Sequence, residues 1–316
     1  MTRTGLTATL AICLASCGSP LFAANDDGAH DLGVDYAFLT LMTLSPDFAA
    51  ANYTIDNGTG GDVSVSIGRF PYHVDLLKQD EQRWQLEIAL AYQTTREQLD
   101  VESTTDHIDA EWDTYGIGLG LLYERELSDS LLFTPSLRAG VARLSNDASY
   151  QGAFIQGFAS QFDGITFNWQ TQATLMSLGL GLRYHWTLLD RSSRVNANLY
   201  HTRVKSFDEG NPALAFSEGA NMLALNMDIV EPTESSLLGE RLDLVWLFGI
   251  NQFLGDNRNT LGYTRSYQAG AGIEFPLGTL DDQRYFVRLG GQWLWADNMS
   301  GWLLTLAINS ETSGKH

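Results

Sequence analysis

The sequence predicts an all-β protein, a transmembrane antiparallel β-barrel of about twelve strands with both termini in the periplasm. Three observations predict this fold. Apolar and polar residues alternate in many segments, aromatic residues stand at the ends of the apolar runs, and the breaks between segments are alternately long and short. A soluble β-sandwich also has alternating strands, but it gives no reason for the aromatic ends or for the sorted breaks.

The segment SLGLGLRYHWTLLD, residues 177–190, shows the alternation clearly. Its leucines share one parity with Tyr184 and Trp186, whereas serine and glycine share the other parity with Arg183 and His185. Successive side chains of a strand point to opposite faces, so one face is apolar and the other is small or charged. In a membrane barrel the apolar face contacts lipid and the aromatic rings lie at the headgroup level. Arg183 and His185 are then expected to face the lumen.

The same pattern recurs from residue 33 onward. From Tyr115 to Tyr123 the apolar run spans roughly 20 Å of membrane at ~3.3 Å per residue and a tilt near 40°. Further outward sets are Trp84, Leu86, Ile88, Leu90 and Tyr92; Leu242, Leu244, Trp246, Phe248 and Ile250; Tyr267, Ala269, Ala271, Ile273 and Phe275; and Val287, Leu289, Trp293 and Trp295. The residues predicted to form the interface girdle are Tyr115, Tyr123, Tyr184, Trp186, Trp293, Trp295 and Trp302.

The breaks between segments predict the orientation of the barrel. Odd-numbered breaks are mostly long and even-numbered breaks are short, beginning with a break of about 17 residues after the first segment. Barrels of this class have long extracellular loops and short periplasmic turns. Twelve strands in this phase leave both termini on the periplasmic side.

The N-terminus resembles an export signal. Arg3 precedes the apolar stretch Leu6–Ala15, and small residues offer a cleavage site near Ala24. The predicted organisation is a signal peptide (1–24), a short periplasmic segment (25–32), the barrel (33–309) and a C-terminal tail (310–316). An alternative is lipoprotein processing at Cys17, because LASC resembles a lipobox. Both cysteines, Cys13 and Cys17, lie in this segment, so cleavage after Ala24 leaves no disulfide or thiol chemistry.

The composition excludes some partners. With 38 acidic and 19 basic residues the net charge is −19, which argues against nucleic acid, since its backbone binds Lys and Arg. The acidic residues are expected in solvated loops, or they hold divalent cations at an anionic lipopolysaccharide surface. No window contains the ~20 consecutive apolar residues of a spanning helix.

The inward positions of the predicted barrel carry charge. One interpretation is a charged constriction that selects solutes. The other, which we favour, is a set of ion pairs that neutralise one another, since unpaired charge in a narrow lumen is costly. Most of these residues are expected toward the periplasmic end. The charged inward positions are Asp35, Glu87, Glu124, Arg138, Arg183, His185, Asp228, Arg241, Asp243, Glu274 and Arg288.

The longest loop, SNDASYQGAFIQGFASQFDG, has aromatic residues four apart at Tyr150, Phe154, Phe158 and Phe162. This spacing predicts one face of a short amphipathic helix, begun by a capping residue before Tyr150 and ended near Gly164. The helix is expected either to plug the barrel mouth or to lie on the outer leaflet. The alternative is an aromatic loop that packs only against its neighbours.

The architecture and the last strand together resemble a known family. In SGWLLTLAIN, Gly301 is followed by Leu304 and Leu306 at the spacing of a barrel-assembly signal. The segment departs from that signal at Met299 and in ending with Ile308 and Asn309 rather than a terminal aromatic. The chain resembles the solitary outer-membrane autotransporter-type β-barrel family. The resemblance implies a translocator-like barrel without a passenger domain, with outer-membrane lipid, lipopolysaccharide and the barrel-assembly machinery as partners.

No catalytic motif stands out. The His-x-Ser-Asn-Gly pattern of outer-membrane phospholipases is absent, and the pairs His73 with Asp75 and Asp106 with His107 lie in unfavourable places for a protease. No cofactor or metal site is expected. The expected function is a non-catalytic structural, interaction or transport role in the bacterial outer membrane. The alternatives are a narrow diffusion channel and, third, a barrel enzyme with an unrecognised site.

Overall fold

The structure is a computed structural model that describes residues 48–56, 62–79, 81–101, 104–188, 191–207, 214–237, 239–255, 263–280 and 283–312. Nearly all of these residues lie in antiparallel strands. The strands are β1 (Phe48–Ile55), β2 (Val63–Gln79), β3 (Gln82–Asp100), β4 (His107–Ser128), β5 (Leu131–Phe133), β6 (Ser136–Gln151), β7 (Trp169–Leu188), β8 (Arg191–Phe207), β9 (Ser217–Leu237), β10 (Glu240–Leu254), β11 (Arg265–Leu280), β12 (Gln283–Trp295) and β13 (Met299–Thr312).

The sheet closes on itself. Apart from β5 and β6, each strand pairs with its sequence neighbours, and β1 pairs with both β2 and β13. The short β5 and the longer β6 both lie between β4 and β7, so they form one barrel strand interrupted at Thr134 and Pro135. Pro135 lacks the backbone N–H that a strand donates to its neighbour and so contributes to the interruption. The prediction of a twelve-stranded antiparallel barrel is therefore confirmed.

The two ends of the barrel differ in their connections. At one end, the short-turn end, every connection has two residues: 80–81, 129–130, 189–190, 238–239 and 281–282. At the other end, the loop end, the connections are residues 56–62, 101–106, 152–168, 208–216, 255–264 and 296–298. The predicted alternation of long and short breaks is present, in the predicted phase.

The described strands begin after the predicted start of the barrel at residue 33 and end after residue 309. The first described strand begins at Phe48, inside the stretch that was predicted to be the first long break. The first predicted strand, from residue 33, and Asp35 within it lie outside the described residues, as do the predicted signal peptide and residues 25–32. The last strand continues to Thr312, beyond the predicted end at residue 309.

The outer wall carries a continuous belt of exposed apolar side chains, which we call the apolar belt. On β4 the belt runs from Tyr115 to Tyr123, with Ile117 51% and Leu119 56% exposed. In an aqueous protein such a large exposed apolar surface would be anomalous. Other members are Phe70, Leu90, Tyr92, Val141, Met176, Leu178, Leu180, Leu199, Leu223, Leu225, Phe248, Ile273, Leu289, Trp293 and Leu304.

Above the belt, toward the loop end, the polarity of the wall is reversed. On the same strand β4, Ile108, Ala110 and Trp112 face inward and are almost completely buried, while the alternate positions are occupied by His107, Asp109, Glu111 and Asp113. Strands β3, β6, β7, β8 and β9 also continue past the belt with polar residues on the outer face. Several strands therefore project beyond the belt, and the projecting part is built like a water-soluble β-barrel.

Two inward glycines are required by close contacts with tyrosine side chains. A Cβ at Gly179 would lie 2.9 Å from the ring of Tyr200, its partner on β8, and 2.4 Å from the Ser136 hydroxyl. The glycine that alternates with leucine in SLGLGL thus makes room for lumenal side chains. A Cβ at Gly301 would lie within 2.3 Å of Tyr53 and Asn52, so glycine lets β1 and Tyr53 approach β13 at the closing pair of strands.

Candidate functional site

The lumen near the short-turn end contains a buried charge cluster around Glu87, which we call the Glu87 cluster. The Glu87 carboxylate accepts hydrogen bonds from Arg69 Nη2 at 2.7 Å and from Arg138 Nε at 2.9 Å, and it lies 3.1 Å from His73 Nε2. Glu87 is 1% exposed and Arg69 is 3% exposed. Two guanidinium groups therefore share one buried carboxylate, so the two arginines outnumber the acidic group of the cluster.

A second cluster, the Asp228 cluster, lies on the other side of the lumen. Asp228 accepts hydrogen bonds from Arg288 Nη1 at 2.7 Å and from Arg194, and Arg288 Nη2 also donates to Glu274 at 2.7 Å. All four side chains are largely buried. Two cations face two carboxylates here, so this cluster is neutral.

A looser set of ion pairs lies closer to the short-turn end. Arg83 bridges Asp75, at 2.8 Å, and Glu124, at 3.7 Å, and Arg183 lies 3.7 Å from the other oxygen of Glu124. In a separate pair, Arg241 lies 3.3 Å from Asp243. At least one side chain of each of these pairs is more exposed than those in the two buried clusters, so each pair contributes less to stability.

The loop end of the lumen is filled by apolar side chains, which we call the apolar plug. Buried residues from β1, β2, β4, β6–β10, β12 and β13 form a single cluster with residues of the loops. Strands from all sides of the barrel contribute to this cluster, and its members are almost inaccessible to solvent. Its members include Tyr53, Ile55, Ile108, Trp112, Leu144, Ile155, Phe167, Trp169, Tyr200, Phe216, Met222, Phe253 and Tyr263.

The 152–168 loop covers the plug, but not as one helix. It contains two single-turn helices, α1 (Ala153–Gln156) and α2 (Ala159–Phe162), which are separated by Gly157 and Phe158. The prediction of one continuous helix was therefore wrong. Asp106 accepts hydrogen bonds from the backbone N–H groups of Phe154 and Ile155 and so anchors α1. Gly152, with φ of 114°, precedes α1.

The aromatic residues of this loop are distributed differently from the prediction. Tyr150 belongs to β6, Phe154 is exposed and packs against Phe158 with the rings tilted, and Phe162 packs edge-on against Phe167. The residue of α1 that is buried in the plug is Ile155. Hydrogen bonds from Asn168 and Tyr150 hold the pKa of the Asp163 carboxyl, next to α2, below its usual value.

A cavity of about 110 Å³ separates the Glu87 cluster from the apolar plug. Much of its wall has little side chain, because small residues occupy the inward positions of three neighbouring strands. They are Ala89, Ala91, Gly116, Gly118, Gly140 and Ala142. Arg69, Glu87 and Arg138 form the polar side of this cavity.

The structure gives a location to each residue of the predicted lumenal network. Glu124, Arg183, Asp228, Glu274, Arg288, Arg241 and Asp243 all lie in the ion pairs described above, and Glu87 and Arg138 lie in the Glu87 cluster. His185 lies at the exposed end of β7, where its backbone N–H donates to Ser130. The prediction omitted Arg69, His73, Asp75, Arg83 and Arg194 from the network, although each shares the inward parity of its strand.

The predicted girdle residues lie along the two edges of the apolar belt. Tyr115 and Trp295 lie at the edge toward the loop end, where Trp295 stacks on Tyr267, and the paired Trp293 and Trp302 lie beside them. Tyr123, Tyr184 and Trp186 lie toward the short-turn end, where Tyr123 contacts Trp84 and Tyr184 stacks on Trp186.

The two His–Asp pairs considered as catalytic candidates have structural contacts. His73 contacts Glu87 and Asp75 binds Arg83, whereas Asp106 caps α1 and His107 lies 3.7 Å from Asp109. Within the described ranges, no three His, Cys, Asp or Glu side chains are placed to hold a metal ion. None of the helices in the described part of the chain has the length and apolarity to cross a membrane.

Comparison with protein families decides the classification. The model of the solitary outer membrane autotransporter β-barrel domain matches residues 61–309. The chain belongs to this family. Its membership places the solitary autotransporter barrel in the bacterial outer membrane, and it identifies the apolar belt as the surface that contacts lipid. A comparison with curated proteins found no match.

Solved autotransporter structures share the fold of this solitary barrel. The translocator domain of NalP from Neisseria meningitidis matches with a TM-score of 0.57 and 14% identity, covering 92% of this chain and 99% of that one. The transport unit of AIDA-I from Escherichia coli matches with a TM-score of 0.51 and 9% identity, covering 88% and 99%. The β-domain of the Bordetella autotransporter BrkA has a TM-score of 0.50 and 14% identity, covering 84% and 97%.

Proposed function

We propose that this solitary barrel is a non-catalytic structural and interaction protein whose lumen is closed to solutes. The observation that carries the proposal is the apolar plug, which joins inward side chains of opposite walls at the loop end. An apolar constriction excludes ions because they must shed their hydration to enter it. The polar lumen below the plug, with its ion pairs, is then closed at the loop end.

The orientation that we propose places the loop end outside the cell and both termini in the periplasm. The two-residue turns at one end and the longer connections at the other are typical of outer-membrane barrels in this orientation. The projecting strands and the 152–168 loop would then face the exterior, where they are available to a partner. Outer-membrane lipid and the barrel-assembly machinery are the partners that this location implies.

The narrow diffusion channel is the alternative that the plug opposes, and conductance distinguishes the two. In planar lipid bilayers the purified protein is expected to give no single-channel steps above the background of the bilayer. A porin of known conductance, reconstituted in the same way, is the control. Regular open steps at low voltage would contradict the closed lumen and favour the channel.

Variants of the plug separate the contribution of the loop from that of the wall. Replacing residues 153–163 with a short Gly-Ser linker is expected to leave conductance low, because most plug side chains come from strands. Adding Trp112→Ala and Trp169→Ala to this deletion removes two of the largest wall side chains and is expected to produce open steps. A retained shift in gel mobility on heating shows that each variant still forms a barrel.

A further inference from the structure

A group of basic side chains lies on the outer wall just above the apolar belt, on strands β6 and β8. We call Arg143, His201, Arg203 and Lys205 the basic patch. All four occupy outward positions on these strands and are exposed. Only β7 separates Arg143 from Lys205, since Arg143 pairs with Gln172 and Lys205 pairs with the nearby Thr174. The backbones that carry these two residues are therefore on the order of 10 Å apart.

Among the described residues, no acidic side chain forms an ion pair with Arg143, Arg203 or Lys205. Arg143 donates to the Gln170 amide oxygen at 2.6 Å, and Arg203 donates to the Ser217 hydroxyl at 3.3 Å. In contrast, Arg96 on the outer wall of β3 forms a 2.6 Å ion pair with Glu111. Unneutralised positive charge is unexpected in a chain with a net charge of −19. The patch is therefore available to an external anion.

The position of the patch relative to the belt indicates what kind of anion fits. Arg203 pairs with Met176, an exposed belt residue, and Arg143 and His201 directly follow the belt residues Val141 and Leu199 on the outer face. Positive charge thus begins where the apolar surface ends. A ligand that spans this boundary has acyl chains on the belt and an anionic head on the patch.

The interface girdle contains fewer aromatic residues on the strands that lie below the basic patch. At the edge of the belt toward the loop end, β3, β4, β11 and β12 carry the paired Tyr92 and Tyr115 and the stacked Tyr267 and Trp295. On β6 the residue paired with Tyr115 is Arg143, and the belt residues of β6–β9 nearest the loop end are non-aromatic: Val141, Met176, Leu199 and Leu223. The wall at β6–β9 therefore has an aliphatic surface with cations above it, which suits packed acyl chains below phosphate groups.

We propose that the basic patch and the adjoining belt of β6–β9 bind the lipid A part of lipopolysaccharide through its phosphate groups. Arg143, Arg203 and Lys205 contact phosphate oxygens, and Val141, Met176, Leu178 and Leu199 contact acyl chains. The proposal rests on the orientation given above, because lipopolysaccharide lies in the outer leaflet and the patch must face that leaflet.

The test measures binding of bis-phosphorylated lipid A to the purified full-length protein in detergent. The variant R203Q/K205Q is expected to bind on the order of thirtyfold more weakly, at about 1 kcal/mol for each charge. The matched control is R96Q/R265Q, which removes two exposed arginines from the outer wall near the loop end and is expected to bind like the wild type. Equal affinity of R203Q/K205Q and the wild type would overturn the proposal.

Two other lipids test whether the bound phosphate belongs to lipopolysaccharide. Dephosphorylated lipid A and phosphatidylglycerol are expected to bind weakly, and their binding is expected to be the same for R203Q/K205Q and the wild type. Binding of phosphatidylglycerol as tight as that of lipid A would overturn the assignment to lipopolysaccharide.

The orientation is tested by labelling a cysteine introduced at Gln156, in a chain with Cys13 and Cys17 replaced. This cysteine is expected to react with an impermeant thiol reagent on intact cells. Labelling only after permeabilisation would contradict the proposed orientation. The binding of lipid A is measured on purified protein in detergent, so its outcome is independent of the labelling result.

Discussion

Glu87→Gln is expected to lower the free energy of unfolding by about 3–5 kcal/mol, because it leaves Arg69 and Arg138 buried without their shared carboxylate. The amide keeps the size of the side chain but not its charge, so the loss reports electrostatics rather than a cavity. Urea unfolding of the barrel in detergent or lipid vesicles, followed by tryptophan fluorescence and by heat-modifiable gel mobility, measures the change.

The matched control for this prediction is Glu111→Gln. Glu111 also forms a short ion pair with an arginine, but the side chains of Arg96 and Glu111 are 67% and 40% exposed. An exposed pair contributes at most about 1 kcal/mol. The double variant E87Q/R138Q is expected to be more stable than E87Q alone, since only one buried cation then lacks a partner. Equal costs for E87Q and E111Q would show that the Glu87 cluster is not a buried charge network.

Leu119→Arg is expected to destabilise the folded barrel by about 2–4 kcal/mol relative to the unfolded chain in lipid vesicles. Leu119 is the middle residue of the belt segment between Tyr115 and Tyr123 and is more than half exposed. An arginine at this depth must leave water and reach the interface or thin the bilayer. Urea unfolding in vesicles measures the cost.

Asp109→Arg is the control for Leu119→Arg, because it places the same side chain on the outer face of the same strand, beyond the belt. Its expected effect is within about 0.5 kcal/mol, since the projecting part of β4 lies in water. Similar costs at both positions would contradict the reversal of polarity along the strand. In that case the belt would not be the lipid-facing surface.

Much of the barrel wall can be predicted from sequence because lipid contact imposes a local pattern. Along β4, for example, Tyr115, Ile117, Leu119, Leu121 and Tyr123 follow at every second position, and this alternation requires no knowledge of the neighbouring strands. The alternation of long and short connections is equally local. Strand β1, by contrast, reads FAAANYTI, and its small residues give little contrast between faces. The position of β1 in the sheet is decided by its pairing with β2 and β13, and this pairing cannot be recognised in the sequence of β1.

The apolar plug was missed although the sequence contains a signal for it. On β4 the apolar parity changes from Ile108, Ala110 and Trp112 to Tyr115 and Ile117, which marks the point where the strand leaves the membrane. If the same face is assumed to be apolar along the whole strand, this change of parity is overlooked. The meeting of side chains from opposite walls depends on the closed geometry and lies beyond any local pattern.

The single helix predicted for the longest loop failed for a related reason. Spacing of four residues indicates which side chains would share a helical face, but it does not determine the length of the helix. Tyr150 instead pairs with Ile108 in the sheet, and the chain turns at Gly152 and Gly157. Pairing with β4 satisfies the backbone of β6 as far as Gln151, so only two single turns of helix remain.

The unequal lengths of the strands have a mechanical consequence. The wall is fastened by nineteen residue pairs between β3 and β4, but β1 is joined by only seven pairs to β2 and by eight to β13. A cylinder built in this way separates first beside β1, and at the join with β13 Tyr53 lies against Gly301. The short first strand is thus the natural place for the cylinder to close as it assembles and to part when it is forced open.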